Sequence, residues 1–234
     1  MINMLNDTTT SWGIPLHQSQ LDQFQLYADE LCRWNERMNL TAIVNKDEIV
    51  THHFLDSLSC ALCWYDVPQS LIDIGTGAGL PGLPLKLAYP GIQLTLVESI
   101  EKKITFLRHM VDTLELEDVV IVPERAEALG QSPTHREQYD VAIARAVADL
   151  RVIAEYCLPL CRVGGQFLAL KGQQAHEETK QAEPAIRQLG GNLTSITKVP
   201  LPNINDHNIV IISKANPTLA RYPRAIGVPN RRPL

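Results

Sequence analysis

Aromatic residues are scarce in this chain, at 6% of its 234 residues, which leaves few ring faces for stacking single-stranded bases. No apolar run approaches the roughly 18 residues that a membrane span needs. Cysteines number five, an odd count that speaks for reduced thiols over a disulfide framework. The first ten residues are polar and carry Asp7 with no cationic flank, so no secretory leader is legible and a cytoplasmic protein is expected. The sequons opened by Asn6, Asn39 and Asn192 then carry no meaning. Metal chemistry finds little support. Cys60, Cys63, Cys157 and Cys161 lack the flanking turns of paired zinc knuckles, and the first two lie in an apolar helical stretch where cysteine behaves as a small hydrophobe. His52 and His53 are adjacent, hence about 100° apart on a helix, and form no chelating i, i+4 pair.

Hydrophobic residues make up 45% of the chain and charged residues 20%, as in soluble globular domains. The length suits one elaborated α/β domain or a core domain with an extension. The net charge of −5 is unevenly placed: Lys214, Arg221, Arg224, Arg231 and Arg232 make the last 21 residues +5 with no acid, leaving −10 on the rest. Pro217, Pro223, Pro229 and Pro233 fall in the same stretch, so a detached, extended, helix-free tail is expected. Such a tail either meets phosphate backbones or only solubilises the chain.

A change of pattern near residue 70 divides the chain. Before it, Leu21, Phe24, Ala28, Leu31, Trp34 and Met38 recur at helical spacing, and a second helical run follows Lys46 through Ile49, Val50, Phe54, Leu55, Leu58 and Leu62. Asn39, Leu40 and Thr41 interrupt the two, and the polar segment from Asn45 offers caps. Trp34 is expected to anchor this helical part against the rest. After residue 70, β-rich runs at 71–74, 92–97, 119–122, 139–143 and 166–170 alternate with helical stretches, which implies right-handed crossovers and a parallel sheet. Two last runs, 193–199 and 208–213, are joined too briefly for a crossover helix and should pair antiparallel. The boundaries expected are an extension over 1–68, a core over 69–214 and a tail over 215–234.

The first β-run ends in Asp73, Gly75, Gly77, Gly79, Leu80 and Gly82, where an open α/β sheet binds ligands at its carboxyl edge. Glycines let the chain turn tightly and let a ligand approach the backbone. Glu98 ends the second run and is placed to accept from a ribose diol. Leu80 stands where a nicotinamide fingerprint has its third glycine, and no lysine follows as in a P-loop, so the match is to GxGxG.

This glycine turn, the acid and the terminal antiparallel pair resemble the class I S-adenosylmethionine (SAM) methyltransferases, with a Rossmann-like, mostly parallel sheet. Residues 34–41 (WNERMNLT), 53–58 (HFLDSL), 73–84 (DIGTGAGLPGLP), 144–146 (ARA), 169–172 (ALKG) and 222–234 (YPRAIGVPNRRPL) narrow the likeness. Together they resemble the bacterial guanine-N7 methyltransferases of small-subunit (16S) ribosomal RNA. The resemblance implies methyl transfer from SAM to N7 of one guanine near the decoding region. It carries cofactor contacts onto Gly75, Leu80, Ala126, Glu127 and Arg145, beside Asp73, Gly77, Gly79 and Glu98. Substrate RNA falls to Asn39, Lys171, Arg221, Arg224, Arg231 and Arg232. His207 stands where many relatives carry arginine. No metal, no membrane and a monomer are expected.

Residues 144–147 contain no Asn/Asp-Pro-Pro-aromatic run and no cysteine, which disfavours exocyclic amine methylation and thiolate attack on a pyrimidine. Guanine N7 carries a lone pair and no proton, so its methylation needs alignment and no general base. Arg145 and Lys171 are the positioning candidates, since either donates readily to a guanine edge. An ion pair with Glu127 or Asp149 is the alternative use of each, while helix capping is the alternative use of Asn39 and the expected use of Asp56. An RNA-binding assembly factor would not need the glycine turn with Glu98, and a small-molecule methyltransferase would not need the basic tail.

Overall fold

The computed structural model describes every residue except Met1, Tyr65, Ala146, Val147, Asn203 and Asn205. The chain opens with α1 (Ile2–Ser11) and α2 (Gln18–Met38). On α2 the spaced Leu21, Phe24, Ala28 and Leu31 are all buried, and Asn39 ends the helix in the left-handed region at φ 49°. A second helical run passes from α3 (Lys46–Ile49) through a π-helical segment (Val50–Leu55) to α4 (Asp56–Leu58) and a 3-10 turn (Ser59–Cys63). The Asn45 side chain caps it by accepting from the Asp47 and Glu48 amides. The π-helical widening is not visible in the apolar spacing. Within it the polar Thr51 and His53 are buried together with Val50, Phe54 and Leu55, and Asp56, which follows it, is buried as well.

The rest alternates as expected: β1 (Ser70–Ile74), α5 (Gly82–Ala88), β2 (Gln93–Val97), α6 (Glu101–Thr113), β3 (Val119–Val122), α7 (Ala126–Leu129) and β4 (Tyr139–Arg145). Then follow α8 (Leu150–Cys157), β5 (Cys161–Lys171), α9 (Ala175–Gln188), β6 (Gly191–Lys198), β7 (Asn208–Lys214) and α10 (Val228–Arg231). The sheet order is β3-β2-β1-β4-β5-β7-β6, with β7 antiparallel to both β5 and β6. The order reverses between β1 and β4, the switch point where the crevice at the carboxyl ends opens. One face of the sheet packs Phe24, Tyr27, Leu31 and Phe54 of the helical extension with Leu83, Leu94 and Phe106, and the other packs α8 and α9. Trp34 meets Phe106 edge-to-face and His109 at a tilt, at centroid distances of 5.6 and 4.8 Å, joining α2 to α6.

The tail departs from expectation: it is docked, and α10 gives it a helical turn. Buried acids draw it in. Arg224 forks onto Glu155, whose side chain is 0% exposed, with contacts of 2.6 and 2.9 Å. The buried Lys214 donates to the Leu158 carbonyl at 2.6 Å and lies 3.2 Å from Glu137. Arg136 donates to the Thr218 and Tyr222 carbonyls, and the Gly227 amide donates to Glu127 at 2.9 Å. The prolines restrict φ without preventing contact, and Pro229 occupies the first turn of α10, where a missing N–H costs nothing. Arg221, Arg231 and Arg232 remain exposed.

Candidate active site

Between β1 and α5 the chain turns on Gly75, Gly77 and Gly79 with φ of 69°, 62° and 88°, a region costly for residues with a Cβ. The glycines differ in use. A Cβ on Gly77 would make only ordinary contacts, with the Lys103 ammonium at 3.8 Å and the Gly75 carbonyl at 3.9 Å, so here the positive φ and not crowding requires glycine. A Cβ on Gly79 would collide with Leu83 and with Tyr27, whose hydroxyl donates to the Ala78 carbonyl at 2.6 Å. Gly79 therefore serves packing against α2. Leu80 is buried in the core beneath the turn.

Asp73 sits at the base of this turn with 0% exposure. One carboxylate oxygen accepts from the Thr76 hydroxyl at 2.6 Å and the Gly82 amide at 2.8 Å; the other is buried without a partner. Burial pushes Asp73 up to about 6, against those two hydrogen bonds. Glu98 faces the turn from β2: Oε2 accepts from the Gly77 amide at 3.2 Å, and Oε1 from the Ser99 and Ile100 amides. Gly75, Val97, Glu98, Ala126 and Tyr156 line a slot along this edge. Glu127 turns toward the tail, and its charge beside Tyr156, after burial itself, helps push that phenol up to about 12.

A second cavity of about 640 Å³ opens at the same edge, lined by His52, His53, Asp56, Arg145, Lys171 and His207 among others. A larger one, about 740 Å³, lies between Trp64, Asp140 and Arg162, on the strands' opposite ends from the glycine turn. Arg145 donates through Nη1 to Asp56 at 2.9 Å and to the His52 carbonyl at 3.1 Å. Neither Glu127 nor Asp149 is its partner; Asp149 caps α8 by accepting from the Arg151 amide. Asp56, expected to be a helix cap, instead spans two elements: Oδ2 meets Arg145 and Oδ1 meets His207 Nε2. Its signal in the sequence was a carboxylate set between Phe54, Leu55 and Leu58, all buried here. Lys171 donates to the Ala148 carbonyl at 2.6 Å and pairs with Glu178 at 2.7 Å, which also accepts from the Leu150 amide. It braces the segment after β4, of which Ala146 and Val147 lie outside the described residues. His53 bonds Thr41 at 2.8 Å, and burial together with the nearby Arg145 charge lowers it to about 4. Asn39 is exposed at the end of α2, away from this lining. Among the described residues no three His, Cys, Asp or Glu side chains are grouped to hold a metal ion, and no helix is long and apolar enough to cross a membrane.

Sheet order and site together define a class I SAM-dependent methyltransferase. The same fold is seen in a SAM-dependent methyltransferase from Aquifex aeolicus, with TM-score 0.54 and 12% identity over 70% of this chain and 92% of that one. It is seen also in a ribosomal protein L11 methylase from Lactobacillus delbrueckii subsp. bulgaricus, with TM-score 0.54 and 12% identity over 74% and 80%. The family described as rRNA small subunit methyltransferase G matches residues 20–208. Proteins named ribosomal RNA small subunit methyltransferase G are 54% identical in Roseiflexus sp. (strain RS-1), over 100% of both chains, and 45% identical in Bacillus cereus (strain AH187), over 95% and 94%. The chain belongs to the rRNA small subunit methyltransferase G family.

Proposed function

We propose that this chain methylates N7 of a guanine near the decoding region of 16S ribosomal RNA, with SAM in the slot of β1 and β2 and the guanine in the cavity at Arg145. The residues present suit the cofactor. The buried, unpartnered oxygen of Asp73 is an acceptor waiting for a donor, and the uncrowded backbone at Gly77 would let a ligand approach closely. Asp73, Gly75, Gly77, Glu98 and Ala126 would hold SAM, while Gly79, Leu80 and Glu127 support the walls around it. SAM, when bound, supplies an electrophilic methyl group on a sulfonium.

The acceptor reading rests on one observation: both carboxylates lining the cavity are already engaged, Asp56 by Arg145 and His207, Glu178 by Lys171. Neither is poised as a base, which suits an acceptor nitrogen with no proton to lose. Arg145 binds described residues through Nη1, which leaves its other donors for O6 or a phosphate; donation to N7 itself would block the reaction. Lys171, spent on Ala148 and Glu178, acts through the segment that it braces. Exposed Arg221, Arg231 and Arg232 are the tail cations left for phosphate. Nucleoside analysis of digested rRNA from cells with and without the protein tests this: one N7-methylguanosine should be missing without it. Unchanged N7-methylguanosine would overturn the acceptor.

A further inference from the structure

We infer that Asp56 is a positioning residue of the transfer, holding the Arg145 guanidinium at the acceptor cavity. The inference rests on the reading that this cavity receives the guanine. Asp56 is 3% exposed and lies among Phe54, Leu55 and Leu58, each 0% exposed. A buried carboxylate costs several kcal/mol of desolvation unless cations or donors compensate it. Its compensation comes from elsewhere in the fold: Arg145 at the end of β4, at 2.9 Å, and His207 just before β7. Among the described residues no backbone amide donates to the Asp56 carboxylate, so the local helix gains no cap from it.

Both anchors of Arg145, the Asp56 carboxylate and the His52 carbonyl, belong to the helical extension. The strand supplies the guanidinium, and the extension aims it. Competing groups are otherwise occupied: His53 is tied to Thr41 and kept neutral by burial and the Arg145 charge, and Lys171 is tied to Glu178. Asp56 Oδ1 and His207 Nε2 are close, yet both are buried without a well-directed hydrogen bond. The His207 ring thus faces the carboxylate from the side opposite Arg145 and closes the clamp by proximity.

Single-turnover methylation of small ribosomal subunits by the full-length protein tests the assignment through a double-mutant cycle of Asp56→Asn and Arg145→Ala. Asp56→Asn should slow transfer at saturating substrate by about 100-fold, as expected for sub-ångström misplacement of a positioning group, and leave SAM affinity within about twofold. The double variant should then be no slower than Arg145→Ala alone. Additive losses, or SAM affinity falling in step with rate, would overturn the inference and leave Asp56 with a structural role. If Asp56→Asn does not fold, a His207→Ala and Arg145→Ala cycle makes the same comparison, with His207→Gln, which keeps a donor, restoring most of the rate. Wild-type protein that fails to methylate at all would instead overturn the proposed function.

Discussion

At the scale of single residues, the glycine turn shows that equal letters do different work. Gly79 makes room for Leu83 and Tyr27, whereas Gly77 keeps a left-handed backbone beside which a side chain would meet only ordinary contacts. Gly77→Val should therefore leave a folded protein, strained by about 1–2 kcal/mol at that φ, whose SAM affinity falls at least tenfold by calorimetry. Unchanged affinity in the folded variant would remove the slot from cofactor binding. His53 makes a different prediction. Its folded state binds a proton more weakly than the unfolded chain does, about 4 against 6.5, so its contribution is complete above 6.5 and lost as pH falls toward 4. That contribution is on the order of 3 kcal/mol. Asp73 acts oppositely: it holds its proton more tightly when folded, so stability declines as pH rises from 3.8 through about 6. Urea unfolding at pH 7 and pH 5 separates the two, because His53→Gln should remove only the loss seen on acidification.

At the scale of elements, the tail is the instructive case. Composition presents five cations on a proline-rich strand, and two of them, Lys214 and Arg224, are committed to Glu137 and Glu155. Replacing Arg221, Arg231 and Arg232 together by glutamine should flatten the log-log salt slope of RNA binding by about 2, with thermal stability unchanged. An unchanged slope would assign these three to solubility. Arg224→Ala should behave differently, destabilising the fold by roughly 3–5 kcal/mol, because it strands the fully buried Glu155. Thermal melts of the two variants distinguish a surface charge from a docking contact.

At the scale of the whole molecule, the helical extension, the sheet edge and the terminal hairpin meet around one cavity, and among the described residues its carboxylates, Asp56 and Glu178, each face a basic side chain. Single-turnover rates at saturating RNA should stay nearly flat between about pH 6.5 and 8.5, where a general base such as histidine would titrate. A tenfold rise per pH unit that vanishes with one side chain would show a base and displace N7 as the acceptor. The sheet itself was legible from the chain, since runs such as 71–74, 119–122 and 208–213 alternate with helical stretches, and burial on both faces leaves little freedom of pattern. Glycines at a strand end and the acid ending the next strand likewise marked the glycine turn and the Glu98 that faces it, because local backbone chemistry dictates where a turn opens. What the letters did not reveal are the partners of charges. Asp56 read as a cap, Arg145 as a positioning residue with Asp149 or Glu127 as its alternative partners, and Arg224 as a free cation, since an ion pair depends on residues such as Asp56 and Arg145, 89 positions apart, meeting across elements. Periodicity records which face of an element is buried, and so sequence alone determined the strands, the main helices and the glycine turn. Only the tertiary structure decided which buried charge faces which, because that follows from the packing of elements and from the cost of leaving any one of them unpaired.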